Sequence, residues 1–265
     1  MHLSFKPYLL EFKHPFGVSS NVRTHTPTVF VRIENEGFFG YGEACLPKYL
    51  GETTEDTLAF LEKAKKIIDE IKSIEFINTL TEKLAQISKN NQAAKAAIDI
   101  ALNDLLGKAA KKPFYELKGL KKSLPRETSC TIGIDDDKMI EKKIAEAKDF
   151  SILKIKAGTE DDKKLVNLIR RFTNKPLYID VNQGWKDVNF VIDMLHWFNE
   201  KNVLLVEQPM PKEMLDEMAR VTEKSPIPTI ADESVKGLED LKKIQGAFSG
   251  VNIKFIKITI KFLCF

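Results

Sequence analysis

The sequence predicts an α/β protein in two parts: an α+β domain over residues 1–119, then βα units over 120–265 amounting to about six of the eight strands of a (β/α) barrel. Two observations carry this. Short apolar runs recur late in the chain, ILKIKAG, LYIDVN, LLVEQP and PTIADES, and they carry Lys156, Asp180, Glu207 and Asp232 at intervals of 24, 27 and 25 residues, the length of one strand, one helix and two loops. Earlier in the chain, alternating strands give way to helical periodicity, the pattern of a separate α+β unit.

Within residues 1–53 the run TPTVFVRIENEGFFGYGEA reads as a hairpin, with a strand Thr28 to Glu34, a turn Asn35 to Gly37 and a return to Glu43. From Glu55 the residues Leu58, Leu61, Ala64, Ile67, Ile68 and Ile71 recur at helical spacing, and Thr53 or Thr54 caps the start. A second helix covers Ile77 to Ile87. A third runs through NQAAKAAIDIALNDLLGKAAK, small and apolar on most faces and therefore buried. LKKSLPRET, with Pro125, is a polar linker. Strands follow at TSCTIGI, ILKIK, LYIDVN, LLVEQP, PTIAD and VNIKFI, separated by helices such as DDKMIEKKIAEAKDF and DVNFVIDMLHWFNEK. A complete barrel takes about 250 residues, so two βα units are expected to be missing.

Composition excludes several classes. With 41 basic and 38 acidic residues the net charge is +3, and the lysines are interspersed with acids, so neither nucleic acid nor a membrane surface is an expected partner. Cys45, Cys130 and Cys264 are far apart and fit no metal or disulfide spacing, which favours a reducing compartment. The N-terminus lacks the pattern of a secretory signal, and no stretch is long enough to span a bilayer. A cytoplasmic enzyme is the expectation.

Asp180, Glu207 and Asp232 close consecutive strands, and active sites of (β/α) barrels sit at that end. Neighbouring strands lie about 4.8 Å apart, so three such carboxylates can converge on one hard cation, for which Mg2+ is the natural choice. Lys154 and Lys156 alternate on one strand and point to the same side. A second cation disfavours protonation of the first, which makes a neutral amine available as a base. Lys254, on the sixth strand, is expected from the opposite wall. A cation between opposed lysines would stabilise an enediolate while one amine takes an α-proton and the other returns one to the far face, inverting the carbon. His14 and His25 contribute polarity, Trp185 and Trp197 packing, and Asp99 is read as a satisfied buried carboxylate.

The motifs LKIK, DVNQGW, VEQP, ADES and NIK, in this order and spacing, resemble the enolase superfamily, muconate-lactonizing subgroup, and within it the dipeptide epimerases of the L-Ala-D/L-Glu type. YGEA and the AAIDIALNDLLGK helix resemble signatures of the family's capping domain. The resemblance implies an enolase-type cap followed by the barrel, and a small dipeptide as substrate. It implies Asp180, Glu207 and Asp232 as Mg2+ ligands, Lys156 and Lys254 as the acid/base pair and Lys154 as the residue that tunes Lys156. Glu233 and Asn182 would support the ligands by hydrogen bonding. Arg23, in SSNVRTHT, would take the distal carboxylate of the substrate through its bidentate fork, and Thr131 would touch the substrate from the first barrel strand.

Such epimerases also use an Asp pair on the eighth strand for the substrate ammonium, and no residue here is assigned to it. The change of character after Lys257, ITIKFLCF, reads as a truncated or frame-shifted form, with activity impaired in proportion. Family members associate, so a homo-oligomer is among the expectations. Alternative activities are those of an o-succinylbenzoate synthase or a muconate-type cycloisomerase, and a third alternative is a non-catalytic remnant.

Overall fold

Thr53 starts the first helix, its hydroxyl accepting the Asp56 amide at 3.0 Å, a cap worth about 1 kcal/mol. Asp136 and Asp187 do the same for two later helices, accepting from Met139 and Phe190. The computed structural model describes residues 1–18, 21–48, 51–71, 77–123 and 127–258. Its elements begin β1 (His2–Val18), β2 (Asn21–Asn35), β3 (Phe38–Cys45), α1 (Thr54–Asp69), α2 (Ile77–Ile87), α3 (Gln92–Ala110) and α4 (Phe114–Leu117). They continue β4 (Ser129–Ile132), α5 (Asp137–Glu146), β5 (Ile152–Lys156), α6 (Asp162–Phe172), β6 (Leu177–Asp180), α7 (Val188–Glu200), β7 (Val203–Glu207) and α8 (Leu215–Lys224). The last are β8 (Thr229–Ala231), α9 (Asp240–Lys243), β9 (Gly250–Val251) and α10 (Phe255–Ile258).

Two compact units result. The first comprises Met1–Lys13, Thr24–Leu124 and the stretch from Lys254, and the second His14–Arg23 and Pro125–Ile253. The linker's Pro125 and the terminal Cys264 fall outside the described residues.

The first unit is a sheet of order β1-β2-β3 covered by helices. β2 and β3 pair antiparallel from Thr28↔Cys45 to Asn35↔Phe38 around a turn at Glu36–Gly37, where both residues have positive φ. Val29, Val31 and Ile33 alternate inward and are fully buried with Phe60, Leu61, Ile68, Ile98 and Leu102. α3 lies directly on β3 because Gly40 and Gly42 carry no side chain there: a Cβ at either would collide with the carbonyl of Ala101 or Ala97.

The second unit holds six parallel strands in the order β4-β5-β6-β7-β8-β9, each joined to the next by helix or loop, the first six strands of a barrel in sequence order. One face of the sheet packs on the helices through Leu153, Ile155, Leu177, Ile179, Val206, Val191, Leu195 and Phe198, all essentially inaccessible. Burial of each such side chain contributes about 1.5–3 kcal/mol. Among the described residues no helix is long and apolar enough to cross a membrane.

The sixth strand is shorter than VNIKFI suggests. β9 pairs with β8 only at Ile230↔Gly250 and Ala231↔Val251. Beyond Asn252 the chain leaves the sheet, and Phe255–Ile258 turns into a helix whose Ile256 packs on the first unit's core. Lys254 therefore stands outside the strand on which the spacing put it.

Candidate active site at the strand ends

Lys156, Asp180 and Glu207 are the last residues of β5, β6 and β7, and the parallel register sets them side by side: Lys156 pairs with Asp180 and Asp180 with Glu207. Asp232 follows directly after β8. Alternation turns Leu153 and Ile155 toward the aliphatic core, which leaves Lys154 and Lys156 together on the opposite face.

The side chains meet. Lys156 Nζ donates to Asp180 Oδ2 at 2.6 Å and to Asn182 Oδ1 at 3.0 Å. Lys154 Nζ bridges Asp180 Oδ2 at 2.9 Å and Glu207 Oε2 at 2.5 Å. Asn182 donates from Nδ2 to Glu233 Oε1 at 3.2 Å, and its amide donates to Asp180 Oδ1 at 3.1 Å. That turn needs a left-handed backbone, with φ of 48° at Asn182 and 68° at Gln183, a region asparagine enters more readily than most residues.

Burial sharpens the electrostatics. Asp180, Glu207 and Asp232 are 1%, 5% and 2% exposed. Burial by itself would lower the Lys154 ammonium, but Asp180 and Glu207 outweigh it and hold the group well above the ordinary lysine value. Lys154 is thus a fixed positive charge beside Lys156. Burial, then the Asp180 charge, push the Glu207 carboxyl up, with Lys154 opposing and Asp232 adding to the rise. Glu233 is raised too, by burial first and by Asp232 next. Among the described residues the buried Glu233 Oε2 has no hydrogen-bond partner.

These features fit a divalent cation. The donors are hard carboxylate oxygens, as Mg2+ prefers, and one of the cluster's buried carboxylate oxygens, Glu233 Oε2, is left without a hydrogen bond. Among the described residues no three acidic, His or Cys side chains already surround a common point as a finished cage. Lys154, reaching both Asp180 and Glu207, is what draws two of them together here.

Two residues that the motifs contained, but to which no role was given, complete the arrangement. Gln208 is fully buried, with φ of 38°. Its Oε1 accepts the amides of Asp232 and Ser234 at 2.9 and 3.1 Å, and its Nε2 donates to Ser234 Oγ and the Met210 carbonyl. It fixes the turn that carries Asp232. Asn252 donates from Nδ2 to Glu207 Oε1 at 2.7 Å. The motifs VEQP and NIK held both residues, but only the fold shows what they touch.

The other candidates stand as follows in the two units. Thr131 is exposed on β4, paired in register with Lys154. Arg23 belongs to the same unit and stacks its guanidinium over the Phe16 ring at 5.8 Å. Lys254 falls in the first unit, so the expectation that it faces Lys156 from a sixth strand is corrected to a residue just beyond that strand. Asp99 accepts Asn103 Nδ2 at 3.1 Å, His14 pairs with Glu146 at 2.8 Å, and Trp185 is buried.

Comparison with known proteins agrees over nearly the whole chain. Residues 8–119 match the family described as the mandelate racemase/muconate lactonizing enzyme N-terminal domain, and 138–259 match the enolase C-terminal domain-like family. The L-Ala-D/L-Glu epimerase of Bacteroides thetaiotaomicron is 44% identical over 260 residues, covering 98% of this chain and 67% of that protein. The L-Ala-D/L-amino acid epimerase of Flavobacterium johnsoniae is 34% identical, over 97% of this chain and 76% of its own length. Among solved structures, the dipeptide epimerase of Enterococcus faecalis in complex with Mg and L-Leu-L-Tyr superposes with a TM-score of 0.88 at 29% identity, covering 97% of this chain and 75% of that one.

Proposed function

This chain belongs to the mandelate racemase/muconate lactonizing enzyme family of the enolase superfamily, and on that premise we propose that it is a Mg2+-dependent dipeptide epimerase of the L-Ala-D/L-Glu type, working in the cytoplasm. One observation carries the reading: a lysine pair hydrogen-bonded to two buried carboxylates on neighbouring strand ends. The similarity to a Bacteroides epimerase supports a dipeptide as the substrate class.

Asp180, Glu207 and Asp232 would hold the cation, with Glu233, Asn182, Gln208 and Asn252 fixing their orientation. When bound, it would draw negative charge from the substrate carboxylate and so ease loss of the neighbouring α-proton. Lys156 takes that proton: the Cα–H bond breaks, its electron pair moves toward the carboxylate, and the amine becomes an ammonium. The family resemblance assigns to Lys254 the return of a proton to the opposite face of the same carbon, which would restore Cα–H with inverted configuration. Asp180 Oδ2 accepts from both lysines in the structure. Lys154 remains charged between Asp180 and Glu207. Arg23 receives the distal carboxylate, and Thr131 contacts the substrate.

The test is direct. Purified protein, Mg2+ and L-Ala-L-Glu should give L-Ala-D-Glu by chiral chromatography, and chelation should stop it. Absence of the D-epimer, with water lost instead from a cyclohexadiene carboxylate, would reassign the chain to the synthase branch of the subgroup.

A further inference from the structure

Asp162 opens α6 and is 1% exposed, yet it belongs to none of the groups assigned above. Its carboxylate collects four donors from two different loops. Oδ2 accepts the Gly158 amide at 2.9 Å and the Trp185 indole Nε1–H at 3.0 Å, and the Thr159 amide reaches both oxygens at 3.1 Å. Oδ1 also accepts the Thr159 hydroxyl at 3.0 Å. Gly158 and Thr159 follow Lys156 by two and three residues on the loop after β5; Trp185 lies on the loop after β6, which follows Asp180 and contains Asn182.

The same two loops touch backbone to backbone. A Cβ on Gly158 would collide with the Val181 carbonyl, and one on Gly184 would sit 2.6 Å from Gly158 Cα. Gly158 also has φ of 101°, which side-chain-bearing residues rarely adopt. Trp185 is held from its other sides by Phe190 and Phe198, with ring centroids 5.6 and 5.9 Å away. The indole is therefore a rigid post, and Asp162 ties the Lys156 loop to it.

We infer that Asp162 is a positioning residue that sets the distance between Lys156 and its partners Asp180 and Asn182 by locking the β5 and β6 loops together through Trp185. A carboxylate suits the task because one group must accept several donors, and an ionised acid is acceptor-only. Charge-assisted bonds of this kind are about twice as strong as neutral ones. The fold alone does not require such a brace: α6 already packs through Val166, Leu168 and Ile169. The inference rests on the assignment of Lys156 as a base, and its test separates the two.

Asp162→Asn replaces one acceptor oxygen by a donor, and Trp185→Phe removes the indole N–H together with part of the ring. Both are compared with wild type under conditions where circular dichroism shows a folded chain. Three readouts apply: kcat and KM on the dipeptide, the rate of reductive methylation of Lys156 by peptide mass spectrometry, and Trp185 emission in a Trp197→Phe background. We expect Asp162→Asn to lower kcat about ten- to a hundredfold, the cost of a misplacement approaching 1 Å, with KM nearly unchanged. Lys156 methylation should become several-fold faster, and Trp185 emission should shift. Trp185→Phe should move kcat and methylation the same way by less, and it decides the question alone if Asp162→Asn does not fold. Unchanged kcat and unchanged Lys156 methylation in a folded variant would reduce Asp162 to a helix-start residue and overturn the inference. If wild type itself does not epimerise, the assigned function fails, while the methylation rates still decide the brace.

Discussion

Lys154 shows how a single side chain can be costly to remove without being the base. It is mostly buried between Asp180 and Glu207, and both acids depend on it for positive charge. Lys154→Met should therefore destabilise the protein by about 3–5 kcal/mol, the usual cost of leaving a buried charge unpaired, measured by urea unfolding without Mg2+. Excess Mg2+ should recover part of the loss. Asp99 gives a pH prediction with a definite sign. Burial raises its carboxyl above the ordinary range, with Asn103 and Lys118 opposing. Because the folded value lies above the unfolded one, the contribution is full below the unfolded value near 4 and is lost as pH rises through the folded value. Asp99→Asn should thus gain stability relative to wild type at pH near 7 and gain little at pH near 3. Parallel pH dependence in the two proteins would contradict this. At this scale the sequence was most readable where chemistry and spacing coincide, as at Lys156, Asp180 and Glu207. Gln208 and Asn252 were hidden because their partners, the Asp232 amide and Glu207, lie 24 and 45 residues away.

Elements were legible in proportion to their length and periodicity. The β2–β3 hairpin, α1, α2 and the strands β5 to β8 stand where alternation and caps put them. β9 does not, since VNIKFI alternates like a strand but its Phe255 and Ile256 serve equally well at the start of a short helix, and Ile256 finds a core to join. Packing of α3 on β3 was legible only as an alanine-rich, buried helix; that Gly40 and Gly42 admit it emerged from the fold. Gly42→Ala must push α3 away, so it should cost about 1–3 kcal/mol or more by overpacking and lower the melting temperature of the first unit. A neutral substitution would mean that the α3–β3 contact is looser than described. Arg170, at the far end of α6, gives all its reach to backbone: Nε and Nη2 donate to the Lys201 carbonyl and Nη1 to those of Thr173 and Lys175. Lysine cannot reproduce that fork.

The whole molecule is two cores with one acid–lysine cluster at the strand ends of the second unit. The chain spans 67% to 76% of the relatives compared above, so activity has to be measured on this chain rather than taken from them. Mg2+ that binds only the folded cluster must stabilise the protein that carries it, by about 2.7 kcal/mol at a hundred times the dissociation constant. Asp232→Ala should abolish that gain in a thermal melt. The most direct measurement is proton exchange at the substrate α-carbon, followed by NMR in D2O with L-Ala-L-Glu and Mg2+. Wild type should incorporate deuterium at the glutamate Cα, and Lys156→Ala should lose this by about 10²- to 10⁴-fold, the usual share of general-base catalysis, while keeping its fold and its Mg2+-dependent melt. Exchange that survives in Lys156→Ala would contradict the assignment of this lysine as the base.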